Sequence, residues 1–96
     1  MAEAADNPAR HRYEMAVDGK TAFVTYSRRA RNIVLKHTEV PAALEGQGVG
    51  SALARSVLED VRRRGLKVVP ECEFIAAFIA RHPEFANIVA EPDAGR

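Results

Sequence analysis

Glu45-Gly46-Gln47-Gly48-Val49-Gly50-Ser51-Ala52-Leu53 sets three glycines at alternate positions, where a strand-like run ends and a helix-like run begins. Without Cβ atoms, Gly46, Gly48 and Gly50 let the backbone take φ > 0 and bring its N–H groups close to an anion. The helix that follows adds the unpaired N–H groups of its first turn and the positive end of its dipole. Such a turn is built to hold phosphate. A nucleotide P-loop is excluded, because no lysine stands beside Gly50-Ser51. A dinucleotide fingerprint fits poorly: the spacing is Gly-x-Gly-x-Gly, and the next strand-like run, Leu66 to Val69, is short. A tight strand-to-helix connection without a ligand remains the alternative on local sequence alone.

Upstream of the glycines lie three strand-like runs. From Arg12 to Val17 the apolar Tyr13, Met15 and Val17 alternate with polar residues, and Asp18-Gly19 gives a hairpin signal. A second strand is expected at about Thr21 to Arg28 and a third at about Asn32 to Val40, joined by a turn carrying Arg28, Arg29 and Arg31. Period two on the third strand places Ile33, Leu35, His37 and Glu39 on one face and Val34, Lys36, Thr38 and Val40 on the other. Pro41 ends the pairing.

Downstream, Leu53, Val57 and Val61 with Ala54 and Leu58 mark an amphipathic helix from about Gly48 to Arg64, capped by Gly65. Leu66 to Val69 suits a short strand parallel to the third through a right-handed crossover. Phe74, Ile75, Phe78 and Ile79 then place a second helix over Glu73 to His82, stopped by Pro83. The expected fold is α/β (α+β): a compact core with an antiparallel three-stranded meander, continued by a βαβ unit with one parallel strand and two main helices. Residues 1–10 read as a flexible tail, 11–90 as a single domain and 91–96 as a frayed end.

Composition narrows the function classes. Ninety-six residues with 47% hydrophobic content suit one domain. A formal net charge of +1 gives no global pull toward nucleic acid or an anionic membrane. Arg62, Arg63 and Arg64 are expected to face the dipole at a helix C-terminus. The arginines around Arg28 suit a solvated hairpin tip, with an acidic partner or a cofactor 3′-phosphate as further options. The single cysteine, Cys72, cannot form an intrachain disulfide, and Met-Ala-Glu-Ala-Ala-Asp lacks the pattern of a secretory signal, so a cytoplasmic location is expected. No apolar run approaches the roughly 20 residues that span a bilayer. Cys72, His37 and His82 show no ligand-pair spacing, so no metal is expected.

The strand His37-Thr38-Glu39-Val40-Pro41, the loop, the glycine turn and the amphipathic helix together resemble the acetyl-CoA-binding core of GNAT-superfamily acyltransferases. The superfamily pattern Gln/Arg-x-x-Gly-x-Gly/Ala maps onto Glu45, Gly48 and Gly50. Glu45 departs from it, which leaves phosphate binding to the backbone N–H groups of Gln47, Gly48, Val49, Gly50 and Ser51. With Val68-Val69-Pro70-Glu71-Cys72-Glu73-Phe74 and Arg81-His82-Pro83-Glu84-Phe85, the resemblance covers residues 11–86 and extends to small stand-alone GNAT-like N-acetyltransferase domains. It implies acetyl-CoA (coenzyme A) as cofactor, with backbone near Val40 bonding the pantetheine arm. It also implies acetyl transfer to an unidentified amine or thiol acceptor. A non-catalytic acyl-CoA-binding or interaction module is the alternative. By that resemblance, most of the helices and strands that usually wall the acceptor side are expected to be absent, which leaves surface for a larger acceptor, or for a weak homodimer if the chain is not a monomer.

Three side chains are candidates for chemistry. Cys72 follows the parallel strand and opens the second helix, where the dipole favours a thiolate. Against that, Glu71 and Glu73 flank it, and a small buried packing residue is the plain reading. Glu39 could act as general base through water, with His37 assisting near neutral pH. Each has a structural alternative as well: a carboxylate holding a loop N–H, and a histidine bonded to backbone.

Overall fold

The structure, a computed structural model, describes residues 3–90. Five strands form one sheet in sequence order: β1 (Ala5–Asn7), β2 (Arg12–Val17), β3 (Lys20–Arg29), β4 (Asn32–Glu39) and β5 (Lys67–Pro70). Helix α1 (Val49–Arg63) connects β4 to β5, and α2 (Glu73–Arg81) follows. The β1–β4 pairs are antiparallel and the β4–β5 pair is parallel, the arrangement expected of a meander continued by a βαβ unit.

Local chemistry explains these boundaries. Asp18 (φ 52°) and Gly19 (φ 76°) form a two-residue loop with positive φ at both positions, which matches the twist of a hairpin. At the far end of α1, Gly65 N–H bonds Arg62 C=O at 3.0 Å and Leu66 N–H bonds Val61 C=O at 3.1 Å, so Gly65 (φ 72°) closes the helix in a Schellman motif. Leu53, Val57, Leu58 and Val61 on α1 are fully buried against Tyr13, Met15, Val24, Ile33 and Leu35 of the sheet. Ile75 and Phe78 of α2 enter the same cluster, as does Phe85 from the 3-10 segment Pro83–Ile88.

Two features depart from the sequence reading. Residues 1–10 were expected to be a flexible tail, yet Ala5–Asn7 pairs with Glu14, Tyr13 and Arg12 as an edge strand and a 3-10 turn follows at Pro8–Arg10. The edge is tied down, because Tyr26 Oη–H donates to Asp6 and Arg64 reaches Asp6 at 3.1 Å. The frayed end expected at 91–96 lies outside the described residues. The second departure is a β-bulge: Thr25 pairs with His37 but Tyr26 pairs with Leu35, so Lys36 is an extra residue on β4. The bulge reverses the alternation. Thr38, opposite the buried Val24, continues the core face of Ile33 and Leu35, whereas His37 and Glu39 lie on the outer face opposite Thr25 and Phe23.

Candidate functional site

After β4, Pro41 and the 3-10 turn Ala42–Leu44 lead into the glycine segment, anchored by Leu44, which is 2% exposed. Gly46 (φ 82°) and Gly48 (φ 78°) both take left-handed backbone. A Cβ at either would meet nothing within 4 Å, so conformation rather than space calls for glycine there. Gly48 precedes α1 without any side-chain cap, and the first helical bond runs from Ala52 N–H to Gly48 C=O at 3.0 Å. The amides from Gly46 to Ser51 therefore have no protein acceptor among the described residues.

Those amides border an open cavity of about 500 Å³ lined by Thr38, Glu39 and Val40 from β4, by Leu44, Glu45 and Gly46 from the loop, by Gly48 to Ser51 from the turn and α1, and by Phe74 from α2. Its charged lining residues are Glu39 and Glu45, with no cation among the described residues. Gln47 lies beside it, its side-chain amide turned back to donate to Ala43 C=O at 3.2 Å. The arginines near Arg28 stand at the opposite end of β4, roughly 25 Å away at about 3.3 Å per residue, which removes them as partners for a cofactor 3′-phosphate bound in this cavity.

The bulge also opens the sheet beside the cavity. β4 pairs with β5 as far as Leu35, whose C=O accepts from Cys72 N–H at 3.0 Å; beyond Lys36 its pairing is with β3 alone. One backbone edge of β4 thus faces the cavity with no strand partner among the described residues. Thr38 lines that edge, and its hydroxyl lies 3.1 Å from Cys72 Sγ. Cys72, 8% exposed, precedes the first turn of α2 and reaches the cavity through Thr38 rather than directly. Glu39 lines the mouth, with Oε1 3.3 Å from His37 Nε2, and His37 stands outside on the exposed face.

The structure therefore gathers Glu39, Val40, Gly48, Val49, Gly50 and Ser51 around one space, with Cys72 behind it and His37 and Gln47 at its margin. Thr38 and Phe74 were missed. Strict alternation turned Thr38 away, and only its pairing with β3 shows otherwise. Phe74 read as part of the buried stripe of α2, but Ile75, Phe78 and Ile79 fill that stripe without it. Among the described residues, no cluster of three or more His, Cys, Asp or Glu is placed to hold a metal ion.

The family model described as GCN5-related N-acetyl-transferase matches residues 12–88, which spans the meander, the glycine turn and both helices. The chain belongs to that family. The solution structure of a GCN5-like candidate N-acetyltransferase from Staphylococcus aureus superposes with a TM-score of 0.69 at 25% identity, covering 96% of this chain and 93% of that one. Curated relatives called Protein NATD1, from Bos taurus and Homo sapiens, are each 35% identical over 63 residues. The match takes in 65% of this chain and 56% of each relative, so the chain is aligned to little more than half the length of those proteins. Within the GCN5-related family, the glycine segment of this chain carries Glu45 at the position where the sequence pattern has Gln or Arg.

Proposed function

We propose that this protein is an acetyl-CoA-dependent, N-acetyltransferase-like acyltransferase acting on an amine or thiol acceptor. The observation that carries the reading is the row of free amides from Gly46 to Ser51, which opens onto the same cavity as the unpaired edge of β4. The amides of Gln47 to Ser51 and the α1 dipole suit a diphosphate. The β4 edge near Val40 suits the amide groups of a pantetheine arm, which pair with backbone as another strand would. Acetyl-CoA supplies the activated acyl group.

The chain's own residues position that group and handle a proton. When bound, acetyl-CoA would supply a thioester whose C–S bond breaks as a C–N bond forms to an amine, the thiolate leaving with a proton. Glu39, at the cavity mouth, receives the proton lost by the amine through water, and His37 at 3.3 Å orients its carboxylate. Cys72 is the alternative acceptor: its thiol would exchange one thioester for another, held in place by Thr38. The protein acts as a cytoplasmic monomer or weak homodimer, without nucleic-acid or membrane partners. No helix among the described residues is long and apolar enough to cross a membrane.

A second reading, a non-catalytic acyl-CoA-binding module, draws support from Cys72 lying behind Thr38 and from Glu45 at the cradle. Calorimetry with acetyl-CoA followed by a transfer assay with amine and thiol acceptors separates the two. Saturable binding with turnover supports the enzyme. Binding without turnover by any acceptor supports the module, and no binding removes both.

A further inference from the structure

Gly50 and Phe74 meet at one contact, and each is locally unfavourable. Gly50 sits inside the first turn of α1 without positive φ, so the backbone does not require glycine there, and glycine inside a helix is less stable than alanine. What a side chain would meet is Phe74: a Cβ on Gly50 would lie 2.9 Å from Phe74 Cζ and 3.5 Å from both Cε atoms, so the ring would have to shift to admit it. The ring thus points its para edge at the bare Cα of Gly50. Phe74 is itself the one large apolar side chain left exposed among the described residues, at 37%. An exposed aromatic ring held by a glycine in a helix is a poor choice for stability alone. Paired breaches of local preference are expected where a ligand completes the packing.

The cavity shows which ligand portion that is. Among the described residues, Phe74 supplies its only aromatic surface and its only residue from α2, and it shares the cavity with the amides of Val49 to Ser51 and with Thr38. A molecule anchored by phosphate at those amides and extended toward Thr38 has to pass the ring. Resting on the acyl-CoA reading above, we propose that Phe74 is a positioning residue that packs against the pantetheine arm, with Gly50 kept bare to seat its ring. The phosphate end is held by the amide cradle alone, so Phe74 acts on the arm and not on the diphosphate.

Two probes separate those portions: acetyl-CoA, and 3′-phosphoadenosine 5′-diphosphate, which has the phosphates but no arm. The wild-type protein is expected to bind both in calorimetry. Phe74→Ala is expected to weaken acetyl-CoA about tenfold while leaving the nucleotide within about twofold, with Phe74→Leu in between. Gly50→Ala displaces the ring and weakens acetyl-CoA likewise, and the double variant is no weaker than Phe74→Ala, because the clash is gone. Melting curves without ligand confirm that each variant folds. The proposal is overturned if Phe74→Ala binds acetyl-CoA as the wild type does, or if both probes weaken alike. Should the wild type bind neither probe, the acyl-CoA reading itself fails and this proposal goes with it.

Discussion

At one end of the sheet, backbone amides from Gly46 to Ser51 face open space, with the exposed Glu39, Glu45, Glu71 and Glu73 in that region; at the other, side chains satisfy one another. There, Tyr13 Oη–H donates to Asp60 Oδ2 at 2.6 Å, Tyr26 donates to Asp6, and Arg64 Nη1 bridges both pairs, at 2.9 Å from Tyr13 Oη and 3.1 Å from Asp6 Oδ2. Arg28, Arg29, Arg31 and Lys67 lie exposed around this network. The net charge of +1 is thus a sum over two unlike ends. The cavity end leaves polar groups unpaired where a ligand can take them, whereas the arginine end uses its polar groups to bind β1 and α1 to the sheet.

The largest effect expected from this contrast comes from Gly48→Val. A β-branched residue at φ 78° is strained by about 1–2 kcal/mol whatever the space around it, and the open surroundings of that Cβ make the strain purely conformational. Relief requires the turn to change shape, which re-aims the amides of Val49 to Ser51. Acetyl-CoA affinity is expected to fall by more than about tenfold, while urea unfolding reports a loss near the strain itself. Unchanged affinity in calorimetry would show that the turn does not hold the ligand.

How much of this was legible beforehand follows from the range of each interaction. The meander, α1, the parallel strand and the glycine turn rest on local patterns, so Asp18-Gly19, the spacing of Leu53, Val57 and Val61, and Gly65 announce them. The bulge at Lys36 has no local marker. It is visible only in the pairing with β3, where Thr25 faces His37 but Tyr26 faces Leu35, and its result is that Thr38, rather than His37 or Glu39, turns toward Cys72. Strand β1 was hidden for a similar reason: Ala5–Asn7 is held by Tyr26 and by Arg64, 58 residues distant from Asp6 in sequence. The contrast between the ends is equally nonlocal, since it arises when the β3–β4 hairpin and the end of α1 are brought together.

A second, smaller effect probes the closed end. Burial alone would raise the Asp60 carboxyl, but hydrogen bonds from Tyr13 and Arg63 outweigh it and hold the group below its usual range. The tyrosines move the other way. Burial, followed by the bond to Asp6, pushes Tyr26 up to about 12, and burial with the Asp60 bond raises Tyr13 as well. A depressed carboxyl stabilises the fold above its unfolded value of about 4 and loses that contribution as pH falls through its folded value. A raised phenol stabilises below its unfolded value of about 10 and loses that contribution as pH rises toward its folded one. Tyr13→Phe is expected to cost about 1–2 kcal/mol at pH 7, since it removes a hydrogen bond to a charged group. Asp60→Asn should flatten the acid limb of stability in urea titrations. Acetyl-CoA affinity should stay within about twofold in both variants, and a larger change would mean that the two ends are coupled.

The smallest effect concerns charge at the open end. A carboxylate beside a bound diphosphate is repelled by about 1 kcal/mol at a separation near 4 Å in water, and less as the distance grows. Glu45→Gln removes that repulsion and is expected to strengthen acetyl-CoA binding by up to about fivefold, whereas losing a helpful side chain would weaken it. Salt separates the sources further. With no cation lining the cavity among the described residues, added salt screens Glu39 and Glu45 and should leave wild-type affinity unchanged or slightly higher, in contrast to a site that binds phosphate through arginine. Replacing Arg28, Arg29 and Arg31 together by alanine at the far end should leave affinity within about twofold, because roughly 25 Å exceeds the screening length of about 8 Å at physiological salt. If instead that triple variant loses affinity and Glu45→Gln does not gain it, the phosphates are held at the arginine end and the roles assigned to the two ends must be exchanged.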